Sequence, residues 1–105
     1  MNANDIIAIA RAEVGTPFRH QGRQSGKGLD CAGLVCHVAN ALGLDYFDQQ
    51  GYSRHPSQGL LEAALDAQPC LVRVALADMA KGDVLLMRFD GDPQHLAIHA
   101  GWSSV

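Results

Sequence analysis

No run of about 18 apolar residues, the length a membrane helix needs, occurs anywhere in the chain. The N-terminal segment carries Asp5, Arg11 and Glu13 in place of a basic start followed by an unbroken apolar core. Neither a membrane span nor a signal peptide is expected, and synthesis is placed in the cytoplasm. A cationic surface is also missing. Eight basic residues stand against eleven acidic ones, for a net charge of -3, which excludes nucleic acid as a partner. Cysteine is sparse: Cys31, Cys36 and Cys70 are an odd set without the dense spacing of a secreted disulfide scaffold, so free thiols in a reducing compartment are expected. Internal repeats and low-complexity tracts are absent too.

What remains suits one core. With 105 residues and 48% hydrophobic content, residues 1–105 are read as a single domain. Asn4 can cap a first helix with Ile6, Ile9, Ala10 and Val14 on one side, ended by Gly15-Thr16-Pro17. Pro17 to Gly28 reads as a polar loop, too irregular for either period. A second helix is predicted from Cys31 to Ala41 or Leu42, capped by Asp30, with Leu34, Val35, Val38 and Leu42 on one face and Gly43 after it. A third, short helix uses Leu60, Leu61, Ala64 and Leu65, and follows Pro56 and Ser57. Cys70–Val74, Asp83–Phe89 and Gln94–Ala100 read as strands of a buried antiparallel sheet, with Asp90-Gly91-Asp92-Pro93 as the last turn. Alternation along the final strand puts His95, Ala97 and His99 on one face and Leu96, Ile98 and Ala100 on the other.

The chemistry gathers at Leu29-Asp30-Cys31-Ala32-Gly33-Leu34-Val35. There a cysteine stands where a glycine-bearing loop becomes an amphipathic helix. First-turn amides and the helix dipole favour an anion, so the Cys31 thiol is expected below its free pKa of about 8.5. Ala32 and Gly33 leave room for another chain beside the sulfur. A histidine on a later strand, His95, can take the thiol proton at neutral pH and return it to a leaving amine. Cys36 and Cys70 read as buried small hydrophobes, and His20, His37 and His55 as surface or loop residues.

At these residues the chain resembles the NlpC/P60 cysteine peptidases, papain-like enzymes that cut peptidoglycan stem peptides. Four segments carry the likeness: Gly15-Thr16-Pro17-Phe18-Arg19-His20-Gln21-Gly22, Leu29 to Val35, Lys81-Gly82-Asp83-Val84-Leu85 and Gln94-His95-Leu96-Ala97-Ile98. The Asp-Cys-Ala-Gly form resembles the phage-tail-associated branch. The resemblance implies an α+β, papain-like fold, with helices packed on a small antiparallel sheet and the nucleophile at the N-terminus of the central helix. It further implies Cys31 as nucleophile, His95 as general base, the Cys31 amide as oxyanion donor, and Asp30, Phe18, His20 and Ala32 as substrate-binding residues. No cofactor is required. The implied substrate is a bacterial cell-wall peptide, cut between D-glutamate, through its side-chain carboxyl, and a diamino acid. Implied partners are phage tail proteins, with a virion-associated enzyme reaching the periplasm.

The family commonly has Tyr where Phe18 stands, and an aromatic followed by Gly where His20 and Gln21 stand. Its third catalytic group lies on a later strand, in an Ile-His-Ala segment that here, as Ile98-His99-Ala100, follows His95 almost at once. His99 is therefore the candidate third member. Kept on one strand, it lies some 13 Å from His95 at about 3.3 Å per residue; a turn after Leu96 would bring it within reach. The end of the chain reads as a shortened family member whose open sheet edge pairs with a second copy.

Other chemistries compete. Cys31, Cys36, His37, His95 and His99 offer metal-binding atoms, but Cys31 and Cys36 on one helix project about 140 degrees apart, unlike zinc spacing. No metal is therefore expected. A catalytically degenerate tail-assembly or interaction module would keep the fold without turnover. A thiol acyltransferase or deamidase would share the first acylation step.

Overall fold

The computed structural model describes residues 2–48, 60–87 and 95–101. Its elements are α1 (Ala3–Arg11), β1 (Arg23–Gln24), β2 (Gly28–Leu29), α2 (Cys31–Ala41), α3 (Leu60–Asp66), a 3-10 turn (Leu76–Asp78), β3 (Val84–Met87) and β4 (His95–Ile98). The architecture is α+β, as expected, and compatible with an NlpC/P60 domain. Two antiparallel two-stranded sheets, β1-β2 and β3-β4, flank the central helix α2, which packs against both of them and against α1. None of the described helices is long and apolar enough to cross a membrane.

The cap of α1 lies two residues before the expected one. Asn2 accepts from the Asp5 amide at 3.0 Å, and the Asp5 carboxylate accepts from the Asn2 amide at 3.2 Å. This reciprocal box satisfies two first-turn donors at once, which Asn4, exposed within the helix, does not. The helix also stops earlier than its apolar stripe suggested. Val14 lies beyond it and is 85% exposed, while Ile7, off the predicted stripe, is buried.

α2 matches its expected span, and Gly43 after it takes a left-handed φ of 70°. Val38 and Ala39 of this helix join Ile7, Leu29 and Leu96 as the buried apolar core. Each larger member contributes about 1.5–3 kcal/mol if fully removed from water.

The segment expected to be an irregular loop holds the β1-β2 hairpin, with Arg23 opposite Leu29 and Gln24 opposite Gly28. In the other sheet Val84 pairs with Ile98, Leu86 with Leu96 and Met87 with His95. The ladder runs on past β4, since the His99 amide donates to the Asp83 carbonyl and the Gly82 amide to the His99 carbonyl. The expected Asp90–Pro93 turn lies outside the described residues, as do Pro56, Ser57, Phe89 and Gln94. Cys70–Val74 is not a strand. Val72 and Val74 are exposed, and among the described residues no strand pairs with the segment. β-forming residues without a cross-strand neighbour have little to hold them extended in a sheet.

Candidate active site

Asp30 ends one strand and starts one helix, and everything at the site is referred to it. It caps α2 through Oδ1, which accepts from the Gly33 amide at 2.7 Å. The same oxygen accepts from Arg23 Nη1 at 3.0 Å, and Oδ2 accepts from the Gln21 amide at 2.8 Å. The carboxylate is buried, with 6% relative exposure. Its two oxygens thus pin the incoming loop to the helix start. The loop has little slack. A Cβ on Gly33 would run into the Gly22 carbonyl oxygen, and a Cβ on Gly22 would lie 2.6 Å from the Gly28 carbonyl oxygen. The room expected beside Gly33 for another chain is therefore taken by this chain's own loop. Gln21, at the position where the resemblance puts Gly, adopts a left-handed φ of 59°, a conformation that costs a non-glycine residue about 1–2 kcal/mol.

Arg23 was invisible to motif reading. From β1 its guanidinium reaches Asp30, the Gly22 carbonyl at 3.0 Å and, through Nε, Asp48 Oδ1 at 2.8 Å. A Ser-Gly pair between the two strands signals a turn, and that turn is what carries residue 23 back to the cap.

Cys31 is the first residue of α2 and half-buried. Gly33 N–H is held by the Asp30 carboxylate and Leu34 N–H by the Asp30 carbonyl. The amides directed at the sulfur are instead those of Leu96, Ala32 and Cys31 itself. Leu96 follows His95 on β4, so the sulfur is docked against the strand that carries the candidate base. The expectation of a depressed thiol pKa is not met: burial pushes the Cys31 thiol up, the nearby Asp30 charge adds to that, and the three amides offset only part of it. The helix dipole is a local effect, whereas the core that surrounds the sulfur comes from other elements.

His95 is half-buried at the start of β4. His99 is buried, with 7% exposure, and its Nδ1 accepts from the Gly101 amide at 2.9 Å. It stays in line with β4 through its ladder bonds to Gly82 and Asp83. Among the substrate-binding candidates, Phe18 bridges to Leu29 and is 69% exposed. His20 Nε2 lies 3.4 Å from Gln21 Nε2, and Ala32 contributes its amide to the sulfur.

The remaining cysteines and histidines are less simple than expected. Cys36, a turn further along α2, is half-buried, and its thiol is also pushed up, by burial first and then by Asp48, while Arg23 pulls the other way. His37 approaches Glu13, with Nε2 3.5 Å from Oε2. Glu13 accepts from Ser25 Oγ at 2.7 Å and from Thr16 Oγ1 at 3.1 Å. The Ser25 hydroxyl is the main reason its carboxyl sits below the usual range. Among the described residues no three His, Cys, Asp or Glu side chains are gathered as a metal site would need.

The sequence profile of the NlpC/P60 family matches residues 15–104. No curated protein and no solved structure matches the chain.

Proposed function

The chain belongs to the NlpC/P60 family, whose members are generally cysteine peptidases of the cell wall, and on that premise we propose that it hydrolyses peptidoglycan stem peptides through a Cys31 acyl-enzyme. The observation that carries this reading is the docking of the Cys31 sulfur on the backbone of Leu96, next to His95.

Because burial raises the Cys31 thiol pKa, attack is coupled to proton transfer. His95 accepts the proton from Sγ as sulfur bonds to the substrate carbonyl carbon, and the carbonyl oxygen takes up the negative charge. The Cys31 amide at the helix start is the donor that stabilises that oxygen. Collapse of the tetrahedral species expels the amine, which receives the proton from His95. Water then enters and gives a proton to His95 as its oxygen bonds to the acyl carbon; the C–S bond breaks, the acid leaves, and His95 returns the proton to Sγ. Phe18, His20 and Ala32 line the approach for the peptide, while Asp30, buried, holds the start of α2; His99, kept in line with β4, lies too far along the strand to hydrogen-bond the His95 ring. The γ-D-glutamyl bond to a diamino acid, and delivery by a phage tail, complete the reading.

Incubation with a defined muropeptide tests it by mass spectrometry. Cleavage is expected, with loss of at least about 10³-fold in Cys31→Ala and about 10²–10⁴-fold in His95→Ala. A folded protein that leaves the muropeptide intact would favour the degenerate tail module instead.

A further inference from the structure

An aspartate immediately before a nucleophilic cysteine poses an electrostatic problem. Its carboxylate is a good helix cap, but its charge opposes the thiolate that must form one residue away. Asp30 is also buried, where an unpaired charge is costly. The structure meets both difficulties with one side chain. Arg23 Nη1 sits 3.0 Å from the same Oδ1 that caps Gly33, and the guanidinium is only 15% exposed.

We infer that Arg23 is a positioning residue for Cys31, holding Asp30 in its capping pose and opposing part of the Asp30 charge that reaches the sulfur. The inference rests on Cys31 being the reactive thiol. The guanidinium is anchored from its other side by Asp48, 2.8 Å from Nε, so it cannot swing away to solvent without breaking a second ion pair. A fixed cation beside a fixed anion weakens the field of Asp30 at the sulfur without abolishing it, while the anion alone still caps the helix.

Other titratable groups around the helix start are placed differently. His95 precedes Leu96 on β4, with His99 further along that line. Glu13, after α1, is engaged with Ser25 and His37. Cys36 lies on the next turns of α2, toward Asp48. The Asp30 carboxylate itself accepts from Gln21, Arg23 and Gly33.

The test is the pH dependence of iodoacetamide alkylation at Cys31, resolved from Cys36 and Cys70 by peptide mass spectrometry. Arg23→Gln exposes the Asp30 charge and moves the Cys31 midpoint up by about one pH unit, roughly tenfold less thiolate at a fixed pH. Asp30→Asn, which can still accept from Gly33, moves it down by a similar amount. The double variant returns to within about 0.3 of wild type, and Arg23→Lys stays near wild type. Arg23→Gln with an unchanged midpoint in folded protein overturns the inference, as does a double variant shifted further than either single one. If Arg23→Gln does not fold, Asp30→Asn decides alone: a midpoint that fails to fall overturns it. Alkylation needs no turnover, so this outcome is independent of whether muropeptide is cleaved.

Discussion

Two arginines each bridge two acids in this protein, and they do different work. Arg23 joins Asp30 and Asp48 from a hairpin, with its side chain 15% exposed and Asp30 at 6%. Arg73 joins Asp66 and Glu62 at 2.5 and 3.4 Å beyond α3, with its side chain 64% exposed and both partners about half exposed. By distance alone the Arg73 pairs are as good. Water decides between them: an exposed pair exchanges solvent for an ion and loses side-chain freedom, whereas breaking a buried one strands a charge. The same contrast separates Gly28, Leu29, Asp30 and Gly33, buried around the start of α2, from the 70–76 segment, where Val72, Val74 and Leu76 stand exposed.

The contrast is broken most sharply at Gly33. Ala there collides with the Gly22 carbonyl and disturbs the Asp30 cap, so a loss of about 3 kcal/mol or more is expected. Chemical denaturation measures it, and a Gly33→Ala protein as stable as wild type would mean the loop is not clamped. Next come the arginines as a pair. Arg23→Gln is expected to cost about 2–3 kcal/mol by stranding Asp30, while Arg73→Gln leaves the melting temperature unchanged. Equal effects in parallel thermal melts would erase the distinction.

The smallest effect sharpens it at the loop's outer anchor. Folding lowers the Glu13 pKa, so the folded state binds that proton less readily than the unfolded chain. The stabilisation is present above the unfolded value of about 4.3 and is lost as pH falls through the folded one. Glu13→Gln and wild type should therefore differ in melting temperature at pH 7 and converge in acid. A gap that persists unchanged at low pH contradicts the assignment.

Local signals explain what could be read beforehand. α2 and its Asp30 cap needed only neighbours in sequence, so span and cap agree with expectation. Arg23 acts across the β1-β2 turn, and no motif or period marks that contact. Cys70–Val74 shows the reverse failure, a strand-like composition with no partner to pair it. The α1 cap was misplaced because Asn2 and Asn4 are equally good caps by type, and only the reciprocal bond from Asp5 distinguishes them. The thiol was misjudged for a similar reason. Helix amides beside Cys31 are written in the local sequence, but the burial that outweighs them is assembled from β4 and the core.

Alkylation of wild-type Cys31 from pH 6 to 10 tests most directly whether the proposed nucleophile rests as a protonated thiol. The predicted midpoint lies above the free-cysteine value of about 8.5, with slow labelling at pH 6. Rapid labelling at pH 6, with a midpoint near or below it, would show a preformed thiolate and contradict the account.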